Sequence, residues 1–404
     1  MTVDESITLE ECLKRGSYCL DHKQWDKAKA YLLPFVAAHS QWPDGWNKLA
    51  AAYVGSGEHA EAENASRRCL ALDPANADAM VNLAVAVQCQ YRDTESIDLC
   101  ERALQLAPEF PNAHWCEAFA LLRLGRWREA WGHYQWGMPA CIRPARFPHI
   151  PEWIGYKPIP GRRLYIWMEQ GIGDAIMMLQ LIKPLREKFA PGKVILEVRP
   201  ELVDLFWGSP LVDEVVAAPA NRHKPREFDE HCSMMSLPSI IGLEPQNLPF
   251  ATHYFGDWQP IGDGEIRTVG YCWYGSDWGD TKSTRNVPAS VYEHIRWQKG
   301  VIAVSLHSDG PCSNPDLNEW SKTARAIGEC DAVVTVDTGV AHLAGAMGKR
   351  VFILTHHIPE WRWQPNATWY PTAEVRPQET AGDWEGLLKD VCADWLTIEK
   401  VPSL

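Results

Sequence analysis

Two places in the chain bring polar side chains to the junction of a strand and a helix. The sharper one is Val333-Val-Thr-Val-Asp-Thr-Gly-Val-Ala-His-Leu-Ala-Gly-Ala-Met-Gly348. Its apolar opening reads as a buried strand over Ala332–Val336. Asp337, Thr338 and Gly339 form a turn, and Val340 to Met347 reads as a helix. A helix start offers free backbone N–H groups and the positive end of the peptide dipoles, so it favours an anion such as a diphosphate. Gly339 lets a phosphate approach the backbone. The Thr338 hydroxyl can add a bond, and His342 falls one turn along on the same face. Each residue also has a plainer reading: Asp337 as a helix N-cap, His342 as a helix histidine with a satisfied hydrogen bond. Taken together after a strand, they point to phosphate binding. The second place is Leu164-Tyr-Ile-Trp-Met168, a strand, followed by the tight turn Gln170-Gly-Ile-Gly-Asp174 and a helix over Ala175–Phe189.

The elements around these turns alternate. Lys193 to Val198 reads as a strand, residues 201–207 as a short helix, and Glu214 to Ala218 as a strand. A second series starts at Thr268. It has strands over Val269–Tyr274, Val301–Leu306, Ala332–Val336 and Arg350–Leu354, with a helix over Ser321–Ile327. Strand, Gly-rich turn, helix, strand is the unit of a parallel α/β sheet. Two lobes of this kind, 162–262 and 263–404, are expected to face one another with a ligand cleft at the strand ends.

The run Asp337-Thr-Gly-x-x-His342-Leu-x-x-Ala346 resembles the nucleotide-binding motif of the heptosyltransferase-like GT-B glycosyltransferases, glycosyltransferase family 9-like. The resemblance extends to Gly171-Ile-Gly-Asp174, Trp273-Tyr-Gly-Ser276, Ser305-Leu-His307 and Pro359-Glu-Trp-Arg-Trp363, and spans about residues 162–395. It implies two Rossmann-like lobes, the first on the acceptor side and the second on the nucleotide-sugar side. It also implies inverting, metal-independent sugar transfer, with no cofactor beyond the nucleotide-sugar co-substrate. This half has no Asp-x-Asp to hold a metal-bound diphosphate. Asp174 matches the acid of the family's Gly-Asp turn and is the candidate base, with Glu169 in reserve. Asp174 reads equally as a cap for the helix behind it. Gly171, Gly173 and Ser276 fall on the phosphate side. Lys282 or Arg285, in the loop Gly275 to Asn286, would meet the charge on the leaving diphosphate. His307 would line the base or ribose pocket. Trp361, Arg362 and Trp363 read as a donor-site wall or as packing between the lobes.

The first 140 residues repeat. Pro74 and Pro108 lie one period of 34 residues apart, each closing a helix. The same period links Gly16, Ala50, Ala84 and Ala118, then Ala28, Ala62, Ser96 and Ala130, then Trp25, His59, Asp93 and Trp127. Small residues recur where two helices cross closely. The pattern resembles the tetratricopeptide repeat (TPR) over about residues 5–140, within a domain expected at 1–140. Arg15 stands where the first repeat should carry Leu, so that repeat reads as a capping unit. Stacked helix pairs make a groove that holds a peptide or protein, or else an extension that packs on the next domain. Six prolines from Pro139 to Pro160 mark an ordered connector, 141–161, which cannot be helix interior.

A formal net charge of -13 argues against broad nucleic-acid binding, which needs Lys and Arg on phosphates. No stretch approaches the roughly 20 apolar residues of a membrane span. The N-terminus lacks the basic and apolar regions of a secretory signal. The 12 cysteines are scattered without a C-x-x-C pair, which fits buried thiols in a reducing cytoplasm. The 20 tryptophans offer stacking surface but are first of all core residues. Three functions stay open: a glycosyltransferase whose repeats recruit a protein acceptor, a transferase for a glycan, lipid or modified DNA base, and a scaffold without turnover.

Overall fold

The computed structural model describes residues 8–137, 146–147, 149–218, 227–249, 254–255, 268–275, 286–288, 291, 301–307, 314, 316–365 and 369–397. The chain divides into two compact units, Met1–Arg143 and Pro144–Leu404.

The first unit is a TPR-like helical repeat array. Its described helices are α1 (Leu9–Asp21), α2 (Trp25–Ala38), α3 (Pro43–Ser56), α4 (His59–Leu72), α5 (Ala77–Cys89), α6 (Asp93–Leu106), α7 (Pro111–Arg123) and α8 (Trp127–Tyr134). Trp25, His59, Asp93 and Trp127 are the first residues of α2, α4, α6 and α8, so the sequence period is the helix-pair period. The small positions sit at the crossings: Ala28, Ala50, Ala62, Ala84, Ser96, Ala118 and Ala130 are all fully buried. At Gly16 a Cβ would lie 2.7 Å from Leu32 Cγ, so a larger residue there would push α1 off α2. Turn chemistry sets the helix ends. Asn76 accepts from Ala79 N–H, and Pro43 and Pro111 stand at first-turn positions that need no N–H. A ladder of ion pairs joins successive repeats: Lys29 with Glu58, Arg92 Nη1 with Glu63 at 2.7 Å, Arg67 Nη2 with Glu95 at 2.7 Å, and Arg123 with Asp93. The Arg92 and Arg67 pairs are part-exposed and individually weak, whereas the Arg123–Asp93 pair is mostly buried.

Among the described residues, the second unit holds two sheets, each with all its strands parallel. The first contains β1 (Arg163–Trp167), β2 (Lys193–Val198), β3 (Glu214–Ala217) and β4 (Glu230–Ser233) in the order β3-β2-β1-β4. The second contains β5 (Thr268–Cys272), β6 (Ile302–Ser305), β7 (Ala332–Val336), β8 (Arg350–Thr355) and β9 (Ala373–Pro377) in the order β6-β5-β7-β8-β9. Every residue of β7 is buried, as the apolar run demands of a strand covered on both faces. Helices α9 (Ile172–Leu179), α10 (Ile182–Phe189), α11 (Val203–Phe206) and α12 (Leu237–Ile241) accompany the first sheet. Helices α13 (Trp320–Gly328), α14 (Gly339–Ala346) and α15 (Trp384–Thr397) accompany the second. The connector belongs to this unit in its described part: Trp153 N–H donates to His231 O at 2.8 Å, and Arg146 grips the buried Glu197 with two bonds of 2.9 Å.

The helix expected over Ala175–Phe189 is in fact two. Pro184 has no N–H to bond the Gln180 carbonyl, so the chain breaks after α9 and restarts at Ile182. Strands β4 and β9 and helix α15 have no counterpart in the sequence pattern. Glu-His-Cys-Ser is too short and polar to read as a strand, although β1 covers it fully. Among the described residues, no helix is long and apolar enough to cross a membrane. Of the described cysteines, Cys89 is exposed and the others are buried.

Candidate functional site

Strand β1 ends at Trp167 and hands over to Gly171, the N-cap of α9; strand β7 ends at Val336 and hands over to Thr338, the N-cap of α14. The two helix starts, one from each sheet, face each other. Gly173 makes this possible: a Cβ there would lie 2.5 Å from His342 Cδ2. Around the two turns is a cleft of about 720 Å³. Glu169, Gly171, Gly173, Asp174, His307, Asp337, Thr338, Gly339 and His342 all line it. Ser276, Lys282 and Arg285 lie outside the described residues.

The α14 turn differs in detail from the expected anion site. The cap is Thr338, not Asp337: its hydroxyl accepts from Val340 N–H at 3.2 Å. Ala341 N–H and His342 N–H both bond to Thr338 O. Most of the first-turn N–H groups are thus engaged within the segment. Gly339 is needed by a tryptophan, since a Cβ would come within 2.7 Å of Trp320 Cη2. His342 is a packing residue rather than a cationic partner. It is 3% exposed, stacks on Trp363 at 4.7 Å, and its Nδ1 meets Tyr370 Oη at 3.1 Å. Burial pushes its pKa down to about 3, so the ring is neutral at pH 7 and brings no charge to an anion.

Asp174 sits in the first turn of α9. Its Oδ2 accepts from Gly171 N–H at 3.2 Å; the helix starts at Ile172, not Ala175, so Gly171 is the N-cap and Asp174 bonds back to it from the third helical position instead of being the N-cap itself. Its Oδ1 accepts from Arg362 Nε at 3.1 Å and Nη2 at 2.6 Å. Arg362 comes from a 3₁₀ turn, Trp361–Trp363, on the second sheet's side. It also donates to Glu360 at 2.7 Å and lies over the Trp361 ring. Burial alone would favour neutral Arg362. The charges of Asp174, Glu360 and Asp337 outweigh it and raise the pKa further. Both partners are mostly buried, with side chains 17% and 14% exposed.

Glu169, two residues beyond β1, accepts a short hydrogen bond from Ser233 Oγ. Ser233 is itself held: its N–H donates to Glu152 at 2.5 Å, and Met235 N–H donates to its Oγ at 3.0 Å. Ser236 Oγ donates to the same Glu152 oxygen at 2.7 Å. At the far wall His307 Nε2 donates to Tyr274 O at 2.7 Å. Among the described lining residues, Glu169, Asp174, Glu319, Asp337 and Glu360 stand against Arg199 and Arg362. No cluster of three metal-ligating side chains occurs among the described residues.

Sequence reasoning missed three features of this site. Arg362 reads from sequence as a wall or hinge residue, and its pairing with Asp174 bridges 188 positions that no local pattern connects. Ser233 and Glu152 give no signal, because one ends an unrecognised strand and the other lies in a proline-rich connector.

No protein-family model matches the chain. The chain is 24% identical over 432 aligned positions to Protein FlbA of Caulobacter vibrioides, an alignment covering 85% of this chain and 71% of that protein. Among solved structures, that of MamA matches 33% of this chain and 79% of its own, with 22% identity and a TM-score of 0.30. A thermophilic TPR protein of Thermus thermophilus matches 33% of this chain and 74% of its own, with 16% identity and a TM-score of 0.31.

Proposed function

We propose that the second unit is a GT-B type glycosyltransferase, and that its two sheets are the Rossmann-like lobes of that architecture. It moves a sugar from a nucleotide-diphosphate donor to an acceptor hydroxyl, with inversion and without a metal. The observation that carries this reading is the convergence of two strand–turn–helix junctions, one from each parallel sheet, on one cleft of about 720 Å³. Ligands of open α/β folds bind outside the carboxyl ends of strands, where these turns lie. In the reaction the acceptor oxygen attacks the anomeric carbon while its proton passes to a cleft carboxylate, Asp174 or Glu169. The bond from that carbon to the diphosphate breaks, and its electron pair leaves with the nucleotide. The described lining carries more carboxylates than cations. Lys282 or Arg285, with Ser276 as a further donor, are the candidates to meet the charge on the diphosphate. The helical repeats hold a protein acceptor or partner, and cysteines scattered without a C-x-x-C pair fit a cytoplasmic setting.

Thermal stabilisation by a panel of nucleoside diphosphates and nucleotide sugars tests this. A ligand at 100 times its Kd adds roughly 2.7 kcal/mol of stability. The expected result is a shift with one nucleotide that is lost when Asp337→Ala and Thr338→Ala are combined. A second reading, a repeat scaffold without turnover, draws on the Asp174–Arg362 pair, which makes that carboxylate a structural tie. No shift with any nucleotide, in a folded protein, decides for it.

A further inference from the structure

The packing of His342 also fixes what its open edge offers to the cleft. The residue is 3% exposed and lines the cleft, and among the described residues its Nε2 has no hydrogen-bond partner. Gly173 keeps that edge clear, since a Cβ there would lie 2.5 Å from Cδ2 and 3.2 Å from Nε2. Behind the ring a chain of hydrogen bonds runs into the core. His342 Nδ1 meets Tyr370 Oη at 3.1 Å, the Tyr370 hydroxyl bonds to that of Tyr254, and Tyr254 Oη donates to Ile176 O at 3.0 Å. Both tyrosines are buried.

The last link sets the direction of the others. A backbone carbonyl only accepts, so the Tyr254 proton points at Ile176 O. Tyr254 therefore accepts from Tyr370. Tyr370, with its own proton used, accepts from His342 Nδ1–H. Burial keeps the ring neutral at pH 7, so it holds a single proton, and that proton is on Nδ1. The nitrogen on the cleft side carries a lone pair.

We infer that His342 Nε2 is the hydrogen-bond acceptor for a hydroxyl of the transferred sugar, with Tyr370 and Tyr254 as its positioning residues. The inference rests on the glycosyltransferase reading above and replaces the phosphate-binding role that the sequence suggests for His342. The diphosphate of a nucleotide sugar presents acceptor oxygens, which have no proton to give a lone pair; a sugar hydroxyl has one. Position agrees with chemistry. His342 stands where α14 meets the Gly173 turn of α9, and a group handed between two lobes must lie at their seam. A sugar without the matching hydroxyl leaves this buried acceptor unpaired, so the contact selects among sugars.

The test compares UDP-, GDP-, ADP- and dTDP-linked hexoses with their parent nucleoside diphosphates, by calorimetric titration of the full chain. His342→Phe keeps a flat ring against Trp363. It should raise the Kd of the nucleotide sugar that binds by about 2- to 10-fold, the contribution of one neutral hydrogen bond, and leave that of its nucleoside diphosphate unchanged. Nitrogen-15 NMR of the histidine rings gives a second readout. The ring signal absent from His342→Phe should belong to an imidazole protonated on Nδ1. Tyr254→Phe frees the Tyr370 hydroxyl to turn toward Nδ1. Part of that signal should then move to the Nε2-protonated form, and the nucleotide sugar alone should bind more weakly. A wild-type His342 protonated on Nε2 overturns the inference. So does a His342→Phe protein in which sugar nucleotide and nucleoside diphosphate weaken equally, the result for a ribose contact, or in which neither changes. Wild-type protein that binds none of these ligands overturns the glycosyltransferase reading, and this inference with it.

Discussion

At the scale of single residues the cleft is organised by burial as much as by charge. Removing one side of the mostly buried Asp174–Arg362 pair leaves the other uncompensated. Arg362→Met should therefore destabilise the second unit by about 3 kcal/mol in urea unfolding. Adding Asp174→Asn to it should recover part of that loss, the non-additivity expected of two groups in contact. His342 makes a pH prediction. Its pKa falls from 6.5 to about 3 on folding, so between those values the unfolded chain binds the proton that the folded one refuses. The stability this confers is complete above pH 6.5 and is lost as pH falls toward 3, at up to about 1.4 kcal/mol per unit. In His342→Phe, unfolding free energies measured from about pH 4 to 6.5 should show a slope shallower by about one proton. The positions of Asp174, Thr338 and His342 are legible from their turns, but their partners are not. Thr338 takes the cap because its hydroxyl lies two residues before Val340 N–H. His342 turns inward because Gly173, from the other sheet, leaves room for its ring. The first cause is local to the turn; the second comes from the other sheet and is not visible along the chain near His342.

At the scale of elements the repeat period and the buried strands are readable because their side chains recur at fixed spacing. Helices α1 to α8 start where a 34-residue period and its caps place them, and β1, β2, β5, β7 and β8 follow apolar runs. Elements that owe their existence to a neighbour escape. Strand β4 forms on β1, and the single expected helix splits because one proline removes one hydrogen bond. The contact of α9 with α14 is equally specific. Gly173→Ala would press a methyl group against His342, which Trp363 and Tyr370 hold in place. Overpacking of this kind costs about 1–3 kcal/mol, and the melting temperature of the second unit should fall accordingly.

At the scale of the whole molecule the two units answer to acid differently. In the first, burial raises the Glu117 pKa to about 7 and lowers that of His133 to about 4. Between pH 4.5 and 6.5 the folded Glu117 keeps a proton its unfolded form sheds, so its contribution falls as pH rises. His133 does the reverse, and the two slopes oppose. A fragment of residues 1–143 should fold cooperatively by circular dichroism, with a melting temperature nearly flat over that range. The same fragment with Glu117→Gln should become more stable as pH rises, because the His133 slope is then no longer opposed by that of Glu117, its neighbour at 3.3 Å. The tie between Asp174 and Arg362 has a different consequence, one of time. It joins residues 188 positions apart. At about 5–20 residues per second, a ribosome needs roughly 10–40 s to make the second after the first. During synthesis α9 waits that long for α14 and the Arg362 turn, with Gly173 and its neighbours uncovered. The first sheet must tolerate water, or a chaperone, on the face that later becomes the cleft.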